Sequence, residues 1–275
     1  MAAKPTEDMT IGEMLVKIGS GLHEIGRYYA ANYGLVNRNP EYPRLPKNTP
    51  LYINCKPYSI KRTEKEGEED LVRLAHEVPY EGSWFYTPKD STWYHFSEGH
   101  EEEFGQNGLF RLSSIQRGGS LNIPGEEIVH YHTHPKRAGE HFVLWAGTEV
   151  ERNMAGVDAS VVNKFMAACM YLYSAFPSDS DVEMYREWSQ QPVSFQGKIA
   201  SPIGITKVEI VDQDEDIVKE YHTLHKNLMN LLKDYVRLES GGITLSAEDM
   251  FDCVNAKIQG RLQLTFQQIN GGITL

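Results

Sequence analysis

The chain carries His132-Thr133-His134-Pro135 at the end of an apolar run, Ile128-Val129-His130-Tyr131. Side chains alternate along an extended segment, so residues two apart share a side and both imidazoles can reach one metal ion. Pro135 has no N–H to offer a ladder and ends the strand there. A second fragment, Pro177-Ser178-Asp179-Ser180-Asp181, supplies a serine followed three residues later by an acid. Together they read H-x-H-P and then S-x-x-D. His132 and His134 bring two neutral nitrogens, Asp181 brings a carboxylate, and one position is left for water, a ligand list suited to catalytic Zn²⁺.

A hydrophobic content of 40% over 275 residues is enough for a sizeable core. No apolar run approaches the roughly 20 residues that a membrane helix needs. The N-terminus, Met1 to Asp8, is polar and lacks the hydrophobic region of a signal peptide. Cys55, Cys169 and Cys253 are odd in number and far apart, which argues against a disulfide framework or a cysteine zinc cage. A reducing cytoplasm is the expected compartment, although export by a signal-independent machine would leave the same trace. The net charge of −11 argues against a nucleic-acid partner, because phosphates could not be neutralised in bulk.

Three blocks follow along the chain. In residues 1–50, Thr10-Ile11-Gly12-Glu13 has the form of a capping box and apolar residues from Ile11 to Ile25 keep helical spacing. Pro40, Pro43, Pro46 and Pro50 then make a linker that cannot be helical. The second block, 51–212, holds a short helix over 68–78 and most of the strands. Ser83–Thr87 and Thr92–Phe96 flank Pro88-Lys89-Asp90-Ser91 as a hairpin, and further strands are expected at 109–115, 128–134, 193–200 and 205–211. Helices are expected over 149–176 and, from an N-cap at Ser178, through Trp188. The third block, 213–275, is mainly helical: a helix over 214–237, another capped by Ser246, and a short strand at 262–266. Gly-Gly-Ile-Thr-Leu occurs at 241–245 and again at 271–275, and both copies read as turn glycines leading into strands.

Taken in order, residues 77–212 resemble the JAMM (JAB or MPN+) metalloprotease family. The resemblance is carried by a glutamate before an aromatic hairpin, His132-Thr133-His134-Pro135 after a strand, Ser178-x-x-Asp181 opening a helix, and Gly197 to Gly204 as the next strand and turn. It implies an α/β fold of the α+β type: a mixed sheet flanked by helices, with a JAB/MPN-like (cytidine-deaminase-like) core, here with helical additions at both ends. One departure concerns spacing. In the family the serine follows the histidines closely, whereas here residues 135–177 intervene, so 142–176 would be a helical insertion beside the zinc cleft. Within it, Ala155-Gly156-Val157-Asp158 is similar to the Ser-Gly-x-Asp of the family's eukaryotic branch but lacks the serine, leaving Asp158 as a rival to Asp181.

The chemistry follows from the residue types. A metal held by three protein ligands lowers the pKa of a water toward about 7 and polarises a carbonyl. A carboxylate outside the ligand set must carry the water's proton to the leaving amine, and Ser178, at a helix N-terminus, could donate to the oxyanion. The resemblance implies these same roles and points to Glu81, in Tyr80-Glu81-Gly82-Ser83-Trp84, as the proton carrier, with Glu77 as the alternative. Glu126 and Glu127 would lie some 15–20 Å from the histidines, at about 3.3 Å per strand residue.

Plainer readings attach to other groups. His130 is either a further ligand, a support for the other two histidines, or a core residue. His222 and His225 lack a glutamate at zincin spacing and read as surface histidines, and Glu98 to Glu103 reads as a solvated loop. Among competing H-x-H hydrolases, an amidohydrolase barrel lacks its further histidines, and a histidine-triad hydrolase would leave Ser178 and Asp181 without a role. The expected function is a zinc-dependent metallopeptidase or isopeptidase acting on a protein or peptide, a ubiquitin-like conjugate being one such substrate. The alternative is an MPN-like scaffold that binds a partner without activity.

Overall fold

The computed structural model describes residues 44–53, 58–79, 81–95, 100–104, 109–114, 120–124, 127–135, 156–239 and 242–269. The expected N-terminal helix, the first part of the 142–176 segment and the second Gly-Gly-Ile-Thr-Leu lie outside the described residues.

After β1 (Arg44–Leu45) and β2 (Tyr58–Lys61), helix α1 spans Glu64–Glu77. It begins four residues earlier than the apolar spacing suggests. Thr63 and Glu66 close a reciprocal capping box there, which satisfies N–H groups that the first turn leaves open. The hairpin is as expected: β3 (Ser83–Thr87) and β4 (Thr92–His95) flank a turn in which Ser91 takes a positive φ of 51°. β5 (His100–Phe104), β6 (Leu109–Ser114) and β7 (Ser120–Pro124) form a separate antiparallel sheet. The acidic run read as a solvated loop is therefore strand β5 over much of its length. Its pairing with β6 supplies the backbone ladder that its composition disfavours.

β8 (Glu127–Thr133) carries the histidines. Helices α2 (Ala159–Ser174) and α3 (Asp179–Ser189) follow, then β9 (Ser194–Ser201) and β10 (Gly204–Ile210). Helix α4 (Asp216–Tyr235) runs straight into β11 (Val236–Glu239), which pairs with β12 (Gly242–Leu245), the first Gly-Gly-Ile-Thr-Leu copy. Helix α5 (Ala247–Lys257) and β13 (Leu262–Gln268) complete the described chain.

The main sheet is mixed and eight-stranded, in the order β1-β2-β4-β3-β8-β9-β10-β13. β8 lies inside it, antiparallel to β3 and parallel to β9. A parallel neighbour requires a crossover over one face of the sheet, and α2 and α3 make it. This crossover returns Asp181 to His132 across the long intervening segment.

Alternation along β8 sorts the two faces. Ile128 joins the core formed with α2, α3, α4 and α5, whereas Val129 and Tyr131 join a second core around Leu71 and Leu74 of α1. The described residues from 213 onward join the first core through Ile217, Tyr221, Met250 and Phe251, and β13 extends the main sheet beyond β10. Phe251 stacks on Phe176 with ring centroids 4.1 Å apart, which ties α5 to the α2–α3 connection. Full burial of such side chains contributes roughly 1.5–3 kcal/mol each.

On the α1 side, Lys198 Nζ lies 2.8 Å from both Glu64 Oε1 and Glu68 Oε1 and 2.9 Å from the Tyr131 hydroxyl. This charged cluster pins the first turns of α1 to β8 and β9. Among the described residues, no helix is long and apolar enough to cross a membrane.

Candidate metal centre

The strand ladder aims the histidines. Thr133 N–H donates to Gly82 O and His134 N–H to Ala200 O, so pairing on both sides of β8 continues until Pro135 ends it. His130, His132 and His134 lie with Ile128 on the side covered by α2 and α3, opposite α1. Helix α3 meets them end on. Ser178 is its N-cap and Asp181 its third residue, joined in a reciprocal capping box.

His132, His134 and Asp181 converge as a group whose donor atoms can hold one metal ion, and they are the one such group among the described residues. Nε2 of His132 lies 2.9 Å from Nε2 of His134 and 3.2 Å from Asp181 Oδ1, while His134 Nε2 lies 3.3 Å from Asp181 Oδ2. Ligands about 2.0–2.1 Å from a tetrahedral zinc are separated by roughly 3.3 Å; the two spacings to Asp181 match the edges of such a site, and the two histidine nitrogens lie somewhat closer. The side chains are only 9%, 14% and 12% exposed, respectively.

The donor set suits a cation. His134 Nδ1 lies 3.1 Å from the carbonyl oxygen of Ser174, which can only accept, so that nitrogen carries a proton. In the neutral ring, Nε2 then presents a lone pair toward His132 Nε2 and the Asp181 carboxylate. With the His132 proton also on Nδ1, Nε2 of both rings and the Asp181 carboxylate face one another in a buried pocket, where one metal ion would satisfy all three. Consistent with this, burial disfavours charge on His134, but Asp181, with help from Glu81, raises its pKa above the ordinary value. Burial would likewise raise Asp181, yet His132 and His134 hold it far below the usual carboxylate range.

Asp158, the rival ligand, is the exposed N-cap of α2 and accepts from Ser160 N–H at 2.8 Å. Sixteen helical residues at about 1.5 Å each put roughly 24 Å between that end and Ser174, whose carbonyl meets His134. The last turn of α2 is thus a wall of the site, while Ala168, Cys169 and Leu172 along its length belong to the core.

Ser178 is committed to Asp181. Its N–H and its hydroxyl both donate to Oδ2, at 2.6 and 2.7 Å. In this geometry it orients the ligand carboxylate. Glu81 is exposed on the segment entering β3. The pairing of Ser83 with His132 and of Gly82 with Thr133 sets Glu81 in register opposite His134, and its charge contributes to the raised His134 pKa. Glu77 lies at the end of α1 and pairs with Arg73 at 2.7 Å.

His130 stands behind the ligands, its Nε2 2.8 Å from Ser83 Oγ and its Nδ1 3.1 Å from the Tyr185 hydroxyl. Tyr185, which sequence reasoning missed, also lies 3.1 Å from His132 Nδ1. The signal was present: Tyr185 follows Asp181 by four residues on one helix, and positions four apart share a face. His222 is exposed as expected and pairs with Asp179. His225 corrects the reading of both histidines as surface groups. Its side chain is 17% exposed and stacks on Tyr173 and Tyr221, with Nδ1 3.4 Å from Asp179 Oδ1. Burial lowers its pKa, Asp179 opposes the shift, and the charge of His134 adds to it.

Protein-family models, curated proteins and solved structures show no match to this chain.

Proposed function

We propose that this chain is a zinc-dependent metallopeptidase or isopeptidase of the JAMM type, with a JAB/MPN-like core. The observation that carries the reading is the convergence of His132, His134 and Asp181 at tetrahedral spacing, with Glu81 entering from the neighbouring strand. Two nitrogens and one carboxylate are the ligand set of an open catalytic site rather than a closed structural one.

His132, His134 and Asp181 would hold the ion, whose Lewis acidity, when bound, activates a water and polarises the substrate carbonyl. Glu81 is free of the ligand set and exposed, so its carboxylate takes the water's proton and delivers it to the leaving amine. Ser178 keeps the Asp181 carboxylate aimed at the histidines. The oxyanion role expected of it requires its hydroxyl to turn outward, with the Ser178 N–H still holding Oδ2. The substrate proposed is a protein or peptide chain in extended form, including the glycine-rich tails of ubiquitin-like conjugates, and the proposed compartment is the cytoplasm.

The test combines metal analysis with turnover. Purified protein should carry about one zinc per chain, lose it in His134→Ala and Asp181→Ala, and cleave a peptide or ubiquitin-like conjugate when loaded. Zinc-loaded protein that cleaves no such amide would leave the binding-scaffold alternative in its place.

A further inference from the structure

We infer that Tyr185 is a positioning residue that, through His130, holds His132 in the one tautomer able to bind a metal through Nε2. The inference rests on the reading of His132, His134 and Asp181 as metal ligands.

The two ligand histidines are oriented by different kinds of partner. His134 faces a backbone carbonyl, which can only accept, so its Nδ1 proton is settled by that contact alone. His132 faces a phenol at 3.1 Å, and a phenol can either give or take a proton. Something else must decide its direction.

His130 decides it. The Tyr185 hydroxyl lies 3.1 Å from Nδ1 of both His130 and His132, whose rings stack with centroids 5.6 Å apart. A neutral His130 that gives its Nε2–H to Ser83 Oγ at 2.8 Å presents a lone pair at Nδ1. Tyr185 O–H then donates to His130, and the phenol oxygen is left to accept from Nδ1–H of His132. With its proton on Nδ1, His132 keeps the Nε2 lone pair directed at His134 and Asp181. The polarity runs in one direction along His132, Tyr185, His130 and Ser83, with one proton per link.

The surroundings keep the relay dry and in place. His130, Tyr185 and Trp188 are at most 4% exposed, so water has little access to substitute for a missing partner. Trp188 meets the His130 ring edge-on at 5.0 Å and Phe85 packs at 4.9 Å. The Tyr185 ring lies against Gly197 of β9, where an added Cβ would come within 2.5 Å of it. Only a residue without a side chain lets the ring sit that close to the strand.

Removing the acceptor while leaving Tyr185 intact gives the sharpest test. In His130→Leu the Tyr185 hydroxyl has His132 Nδ1 as its remaining ring acceptor and draws His132 toward the wrong tautomer. In His130→Asn a carbonyl oxygen stands near the former Nδ1 and restores the acceptor. Zinc affinity is measured by chelator competition on the full chain, with a circular dichroism check of the fold. Tyr185→Phe and His130→Leu should each bind zinc roughly 10–100-fold more weakly, as loss of a group that orients a ligand does. His130→Asn should stay close to wild type. Nitrogen-15 NMR of zinc-loaded wild type should show His132 protonated at Nδ1 and His130 neutral with its proton on Nε2. A loaded wild type with His130 protonated on Nδ1 overturns the relay even if no variant folds. So does wild-type affinity in Tyr185→Phe and His130→Leu while His132→Ala and His134→Ala lose zinc. If wild type binds no zinc, the ligand reading itself has failed, and the relay falls with it.

Discussion

Ser178 and Asp181 are joined twice over. The serine N–H and hydroxyl both donate to Asp181 Oδ2, and the Asp181 N–H lies 3.3 Å from the serine oxygen. The same carboxylate sits 3.2 Å from His132 and 3.3 Å from His134. The start of α3 and the third corner of the metal centre are therefore one structure, and a change at either residue should register in both helix stability and metal binding.

Asp181→Ala should abolish zinc binding and also remove the capping partner, whereas Asp158→Ala should retain full zinc. A lost cap costs about 1 kcal/mol, so both variants should melt below wild type in the metal-free state. Zinc content per chain separates them, and retention in Asp181→Ala with loss in Asp158→Ala would reverse the ligand assignment.

Glu81→Gln should keep zinc and lose hydrolysis by roughly 10²–10⁴-fold, because it removes a proton carrier and no ligand. Normal turnover in this variant would pass the role to another carboxylate.

Gly197→Ala should destabilise the fold by about 1–3 kcal/mol, the usual cost of forcing an extra methyl into a packed interior. Its Cβ would fall 2.5 Å from the Tyr185 ring, so denaturant melts should show a lower midpoint. A midpoint equal to wild type would mean that the ring shifts freely.

Lys198→Met should cost about 3 kcal/mol, because it leaves the buried Glu68 carboxylate without its cation. The pair is 15% and 8% exposed. Adding Glu64→Gln and Glu68→Gln should recover much of that loss. The pH dependence carries a defined sign. Burial raises Glu64, but Lys198 and Tyr131 outweigh it and the net pKa is lowered. Its contribution is thus full above the unfolded carboxylate value of about 4.3 and disappears as pH falls through the depressed folded value. Lys198 is raised, burial being outweighed by Glu68 and Glu64. Its contribution is full below the unfolded lysine value of about 10.4 and disappears as pH climbs through the higher folded value. Chemical denaturation across pH should show this plateau in wild type and lose it in the triple variant.

What the sequence determined by itself was local. A period of two places His132 and His134 on one side of a strand, a spacing of three closes Ser178 onto Asp181, and a turn-rich tetrapeptide joins two aromatic strands. Each depends on residues a few positions apart, where backbone geometry alone sets the outcome. Tertiary structure decided the rest. Only the length and direction of α2 separate Asp158 from the histidines, and only the crossover from β8 to β9 brings Asp181 to them. Tyr185 shares the helical face of Asp181, a local fact, but its two imidazole partners lie 53 and 55 residues away. Lys198 meets Glu64 across 134 residues, His225 is partly covered by Tyr173 of another helix, and β13 finds its place beside β10. Such contacts depend on which faces the sheet and its crossover bring together, and no short stretch of chain contains that information.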